Sequence, residues 1–393
     1  MQVFFKVTFW LASFLVAYTY LLYPIVLVVM AAYRQIRNDW FYLSTKDDRR
    51  ISNLNGLPEV AIVISAYNEE QHIEKRLKNL LSLDYPEDRY KIYIGSDGSN
   101  DATADIIRTF RSERIVCFNF NERRGKASTL NDILARVQEP VVVFSDANTE
   151  FRLNVLQKLL RHFRDPEVGA VCGELLIRSE DGSNNQDSLY WRFERLLKFY
   201  EGRLEGLLGA NGANYAIRRE LFTPLPTDTI IDDFTIVMHI AAAGYRIIYD
   251  AEAMAYELEA PNIDAEFKRR IRIGTGNYQA FFRLYKFLNP RIGIRVFTYL
   301  SHKVVRWFVP HFLCSVLLTS VLLYDVGWYS GLFWTQIGGY ATCGLLYLIS
   351  RYRRIPTVLL FPVFIMSMNL AFAIGFVRYL KGNHSGIWQR TLR

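Results

Sequence analysis

The side chains able to do chemistry in this chain gather in short polar stretches. Three of these carry acids, and each follows an apolar, β-branched run: Ser65-Ala66-Tyr67-Asn68-Glu69-Glu70, Gly95-Ser96-Asp97-Gly98-Ser99-Asn100-Asp101 and Ser145-Asp146-Ala147-Asn148. Asp146 and Asn148 place two oxygen ligands two residues apart, a spacing that can serve one hard divalent cation. Arg123-Arg124-Gly125-Lys126 precedes a helical pattern, where an ammonium and a helix N-terminus together attract a diphosphate. Arg269-Arg270-Ile271-Arg272 offers guanidinium forks for the same kind of anion. Asp232 and Asp233 stand between Ile231 and Phe234, and a carboxylate in apolar surroundings has its pKa raised toward the range of a general base. Each stretch also has a plain structural use, as a turn at Asp97-Gly98 or a helix cap at Asn148 and Asp232. Position in the fold decides between the two uses.

Residues 60–64, 90–94 and 141–144 are short Val/Ile-rich runs of the kind found in buried parallel strands. A helical pattern follows the first, with Ile73, Leu77, Leu80 and Leu81 on one side; another follows the second, with Ala104, Ile107 and Phe110. Leu130 and Ile133 mark a third helix, after Lys126. Strand, polar loop and helix alternate, which implies right-handed crossovers and a mainly parallel sheet. Ligands of such sheets bind beyond the carboxyl ends of the strands, where all three acidic loops fall.

Hydrophobic residues make up 51% of the 393 and aromatics 15%, so part of the chain is expected to lie in a membrane. Residues 7–33 form a nearly uncharged run, long enough to span a bilayer and too long for a signal-peptide core. Lys6 stands alone before it, whereas Arg34, Arg37, Lys46, Arg49 and Arg50 follow, which places the next domain in the cytoplasm. Three more apolar runs cover residues 304–324, 332–350 and 357–377. The turn with Asp325 and Gly327 lacks Lys and Arg and is expected outside; Arg351-Tyr352-Arg353-Arg354 is expected inside. Three full spans then leave the C-terminus outside, while Arg378, Lys381, Arg390 and Arg393 favour the inside. Pro356 and Pro362 mark the last run as a candidate broken or re-entrant helix. Residues 289–303 mix Arg291, Arg295 and Lys303 with Phe297 and Tyr299, the pattern of an amphipathic helix at the membrane surface or of an ordinary surface helix.

The expected divisions are a transmembrane helix at 1–34, a cytoplasmic domain at 58–285, an interfacial helix at 289–303, a transmembrane region at 304–380 and a basic tail at 381–393. The four cysteines form no CxxC pair and no metal-ligand spacing, which excludes a zinc site or disulfide framework. The net charge of +8 is spread beside apolar runs, which fits a membrane surface and not nucleic acid. The apolar runs hold almost no ionisable residues apart from edge positions such as His311, which argues against a channel or transporter.

In their order and spacing, these stretches resemble the motifs of family-2 glycosyltransferases, especially the membrane-embedded synthases of extracellular polysaccharides, over roughly residues 60–282. The resemblance implies a GT-A (Rossmann-like) α/β fold with a mostly parallel sheet, inserted between N-terminal and C-terminal transmembrane helices. It implies Ala66, Tyr67 and Glu69 on the nucleotide base, Asp97 on the uracil or ribose, and Lys126 on the diphosphate. Ser96 stands where the family has a first aspartate. Asp146 and Asn148 occupy the metal-binding Asp-x-Asp motif, implying Mg²⁺ or Mn²⁺, with an amide in place of the second acid. Ala210-Asn211-Gly212-Ala213-Asn214 matches the small-residue segment near the acceptor, so Gly212, Ala213 and Asp232 are assigned to the acceptor region. Asp233 matches the general base of the Thr-Glu-Asp motif. Arg272 matches the arginine of Gln-x-x-Arg-Trp, with Arg269 replacing the glutamine and Ile273 the tryptophan.

The reaction so implied is an inverting single displacement from a nucleotide sugar, of the uridine diphosphate type, to a hydroxyl of a growing polysaccharide. Asp233 would take the proton; Lys126, Arg269 and Arg272 would hold the departing diphosphate. The spans would form an export path in the plasma (inner) membrane, in contact with lipids, and four are few for a wide pore without an oligomer or export partner. Two rivals stay open: transfer of one sugar to a lipid-linked acceptor, and a sugar-nucleotide-binding scaffold without turnover.

Overall fold

The computed structural model describes residues 1–45, 56–178, 189–258, 263–353, 355–382 and 386. Lys46, Arg49, Arg50, Arg354, Arg390 and Arg393 of the charge pattern lie outside them, as does most of the basic tail.

Strands β1 (Val60–Ala66), β2 (Tyr90–Asp97), β3 (Ile115–Phe120), β4 (Val141–Asp146), β5 (Glu150–Phe151), β6 (Val168–Arg178), β7 (Tyr215–Arg218) and β8 (Arg246–Leu258) form one sheet. Their order is β3-β2-β1-β4-β7-β6-β8-β5. β3, β2, β1 and β4 pair in parallel, β7 runs antiparallel between β4 and β6, β8 is parallel to β6, and β5 closes the edge antiparallel. Six of the eight strands thus point one way, as the strand–helix alternation predicts.

Both faces of this sheet are covered, which is why β1 and β4 read as unbroken apolar runs. On one face Val60, Ile62, Ile64, Val141 and Val143 pack against Ile73, Leu77 and Leu80 of the helix Ile73–Leu81. On the other, Ala61, Val63, Val142 and Phe144 meet Leu130 and Ile133 of the helix Lys126–Leu134. Each such Val or Ile removed from water contributes about 1.5–3 kcal/mol. The second core continues without a break through Tyr278, Tyr299 and Trp307 to Met368 and Phe372, joining the sheet to the apolar helices. The sequence reading places Phe110 in the second crossover helix; it lies just past the end of Thr103–Thr109.

Four helices are long and apolar enough to cross a membrane: Gln2–Ser44, Ile294–Leu322, Tyr329–Ser350 and Val358–Leu380. The first runs well beyond residue 34, through a π-helical turn at Tyr18–Leu22. Its second half docks on the α/β domain, where Tyr23 donates to Glu201 at 2.6 Å and Arg34 pairs with Glu205 at 2.7 Å. Residues 289–303 are not a separate helix. A 3-10 turn at Pro290–Ile292 leads into Ile294–Thr298, which continues through a π-helical turn into the apolar helix Val305–Leu322. Its buried side is spent on the domain: Arg295 donates to the carbonyls of Ala241 and Gly244. The last helix, Thr357–Leu380, is unbroken: Pro356 stands at its N-cap, and Pro362, the sixth residue, forgoes one backbone hydrogen bond without ending the helix.

That last helix lies alongside the helix Ile263–Arg283. Arg270 stacks on Phe364, Tyr278 packs on Phe376 and Phe282 on Tyr379, so the two run in the same direction. Close approach is possible because Gly375 has no side chain; a Cβ there would sit 2.7 Å from the backbone nitrogen of Thr275.

Candidate active site

The carboxyl ends of β1, β2 and β4 open on one cleft of about 450 Å³, within the range of small-ligand sites. Tyr67 and Glu69 come from the loop after β1, Asp97 from β2, and Asp146 and Asn148 from the end of β4. Ala66 is buried as the last residue of β1, so its neighbours Ser65 and Tyr67 line the cleft instead. Ser96 also turns inward, with its hydroxyl donating to Ser99 at 3.0 Å.

Asp97 is already engaged by the chain. It accepts the backbone N–H groups of Arg124 at 2.9 Å and Gly125 at 2.8 Å. It thereby pins the loop that delivers Lys126, and Gly125 takes φ +91° to make the turn into the helix. Gly98, at φ +66°, lies so close to the Glu122–Arg123 backbone that a Cβ would meet it at 2.5 Å. Arg123 lies over the Tyr67 ring at 3.7 Å, a pairing at the cleft wall that motif reading did not assign.

Lys126 reaches across to two acids, Asp146 at 2.8 Å and Asp232 at 3.3 Å. Burial opposes its charge, but Asp146 and Asp232 outweigh it and hold the ammonium well above the usual lysine range. Asp233, one residue on, has no ion-pair partner among the described residues. Its Oδ1 accepts the backbone N–H of Phe234 at 2.8 Å. Gly212 sits against the same carboxylate, with room for no more than a Cβ 3.2 Å from Oδ2. Burial, reinforced by the neighbouring Asp232 charge, pushes Asp233 up to about 6, with Lys126 opposing.

Arg269 and Arg272 close the cleft from the helix Ile263–Arg283. Burial works against the charge of Arg269, but Glu257 and Glu266 hold it above the ordinary arginine value. Arg272 is lowered, first by burial and then by Arg269 beside it. Ala213 also lines the cleft. The sequence-predicted residues therefore converge, apart from the buried Ala66. Missed were Glu194, Lys303, Arg306 and Trp307, which carry the cleft toward the apolar helices. Nothing in their local sequence marks them: they lie in helices whose apolar pattern hides which turn meets the domain. Arg306 pairs with Glu194, and His302 bonds Glu201 at 2.6 Å. Burial opposes ionisation of Glu194, yet Arg306 and His302 keep it well below the usual carboxylate range.

The donor set suits a hard divalent cation. Asp146 and Asn148 both supply oxygen to the cleft, and no group of three or more His, Cys, Asp or Glu converges among the described residues. A cation held by one or two protein oxygens plus substrate phosphates is the usual arrangement for Mg²⁺ and Mn²⁺.

Residues 61–223 match the model of Glycosyl transferase family 2, and the fold is GT-A-like. Over 282 residues it is 28% identical to poly-beta-1,6-N-acetyl-D-glucosamine synthase of Staphylococcus aureus (strain COL), covering 67% of this chain and 66% of that protein. It is 28% identical over 242 residues to a probable glycosyltransferase, YdaM, of Bacillus subtilis (strain 168), covering 57% of this chain and 56% of the other. The chain thus spans just under two thirds, or less, of these relatives' length. The structure of a mannosyltransferase from Pyrobaculum calidifontis, in complex with GDP-Man and Mn²⁺, superposes with a TM-score of 0.66 at 22% identity, over 94% of this chain and 100% of that one.

Proposed function

We propose that the protein transfers a sugar, with inversion, from a nucleotide sugar to an acceptor hydroxyl, and that the acceptor is a growing polysaccharide. The observation that carries this reading is the division of labour between adjacent acids. Asp232 is tied to Lys126, whereas Asp233 faces the cleft without an ion pair among the described residues and with a pKa near working pH. Asp233 takes the proton from the acceptor hydroxyl as that oxygen attacks the anomeric carbon. Lys126, Arg269 and Arg272 receive the diphosphate as the bond to it breaks. Tyr67 and Glu69, at the mouth of β1, suit the base and ribose of a UDP-type donor. A divalent cation at Asp146 and Asn148 would add positive charge beside the diphosphate. Gly212 and Ala213 line the cleft beside Asp233, on the side assigned to the acceptor. The likeness to poly-beta-1,6-N-acetyl-D-glucosamine synthase supports a polysaccharide product.

A second reading, one sugar onto a lipid-linked acceptor, is favoured by the extension of the cleft to Lys303, Arg306 and Trp307 at the start of an apolar helix. The test is donor turnover by purified protein with a panel of radiolabelled nucleotide sugars, Mg²⁺ or Mn²⁺ and a chelator control, with products sized by gel. A long glycosidase-sensitive product supports polymer synthesis; a single-sugar lipid supports the second reading. Donor binding without turnover leaves only a scaffold.

We place the α/β domain in the cytoplasm, on the side of Arg34 and Arg37. Three helices, Gln2–Ser44, Ile294–Leu322 and Tyr329–Ser350, cross the membrane in this reading. The fourth, Val358–Leu380, lies along the domain surface, because its contacts with Ile263–Arg283 extend from Phe364 to Tyr379 and Gly386 beyond it packs on Thr227 and Asp228.

A further inference from the structure

Behind the cleft, and outside its lining, lies a charged side chain that the transfer chemistry does not use. Arg76, on the helix Ile73–Leu81, is 2% exposed. It has no carboxylate in direct contact among the described residues. One nitrogen of its guanidinium donates to Asn79 Oδ1 at 2.7 Å, and the group lies over the Phe151 ring at 4.2 Å. The other terminal nitrogen donates to Ser145 Oγ at 2.7 Å, and the Ser145 hydroxyl donates in turn to the Ala213 carbonyl at 2.9 Å. Burial pushes Arg76 down to about 9, with Asp146 and Glu150 opposing. It therefore stays charged at neutral pH, an expensive arrangement that a hydrophobic residue of similar volume would avoid.

The chain of bonds joins two segments far apart in sequence. Ser145 immediately precedes Asp146, the residue paired with Lys126. Ala213 immediately follows Gly212, which abuts the Asp233 carboxylate. We propose that Arg76 is a positioning residue that, through Ser145, fixes the spacing between the donor-side acid Asp146 and the acceptor-side base Asp233. This rests on the glycosyltransferase reading of the cleft. A neutral or single-donor side chain cannot hold Asn79 and Ser145 in one fork, so the charge and planarity of arginine are what the site requires.

The test uses the full chain in detergent. Ser145→Ala cuts the bridge with the least change in volume, and Arg76→Lys keeps the charge but loses the fork. In each variant kcat is expected to fall about 10- to 100-fold, as misalignment of reacting groups does, while donor KM changes less than about threefold. The double variant should lose no more than the worse single one, because both cut the same connection. Hydrogen exchange of backbone amides should rise in both 145–148 and 211–214. An unchanged kcat with only a lower melting temperature would overturn the proposal, as would additive losses or exchange rising in just one segment. If the unaltered protein transfers no sugar, the glycosyltransferase reading fails on its own, and the exchange pattern still decides whether the bridge exists.

Discussion

Asp232 and Asp233 differ by one position and have opposite surroundings: Lys126 holds the first at 3.3 Å, while the second accepts the Phe234 N–H at 2.8 Å and has no ion pair among the described residues. Asp233→Asn is expected to lower kcat by about 10²–10⁴, the usual worth of general base catalysis, with donor affinity retained. Isothermal titration with the nucleoside diphosphate, beside turnover, checks the split; equal loss of both would assign Asp233 to the donor. The pH dependence follows from the same residue. A base acts when ionised, and Asp233 titrates near 6, so kcat/KM should rise as pH increases through about 6 and level off above it. The folded pKa lies above that of the unfolded chain, so the folded state favours the protonated form. The ionised carboxylate thus costs stability above pH 6, and Asp233→Asn should raise the melting temperature at pH 7 while leaving it nearly unchanged near pH 4. The motif stretches announce these residue types, but not which acid the lysine takes. That choice depends on Lys126 and Asp232 being brought together from positions more than a hundred residues apart.

Among the elements, the strands that end in acidic loops are the easiest to read, because burial on both faces leaves continuous Val/Ile runs. β7 is harder: four residues, Tyr215–Arg218, that insert antiparallel between β4 and β6 carry no periodicity to find. β6 and β8 likewise pair at long range, with register shifts that no local pattern encodes. The helix Ile263–Arg283 is placed by its partner as much as by its own sequence. Gly375 of the last helix lets the two backbones touch, so Gly375→Ala should cost about 1–3 kcal/mol through forced separation. Thermal unfolding in detergent measures this. Because Arg269 and Arg272 ride on the displaced helix, donor KM should rise as well.

For the molecule as a whole, the charge pattern of the apolar runs leaves the side of the C-terminus undecided. The arrangement of the last helix against the catalytic domain offers an answer. A protease-sensitive tag after residue 393 should be cleaved in inverted vesicles together with the catalytic domain, and protected in intact cells. The reverse pattern would make Val358–Leu380 a full span.

By itself the sequence determined the α/β alternation, the apolar segments and the acids and cations that the strand-end loops and residues 269–272 bring to the cleft, because strand burial, helix periodicity and membrane length are local properties. It did not determine Glu194, Glu257, Glu266, Lys303 or Arg306. Tertiary structure alone decided that Asp97 ties down the Lys126 loop, that Lys126 is shared between Asp146 and Asp232, and that Asp233 is left free of an ion pair among the described residues. It also decided that membrane-side residues such as Lys303 and Arg306 complete the cleft. Those facts depend on distances between segments far apart in the chain, and such distances are set by how whole faces pack, not by the composition of any one stretch.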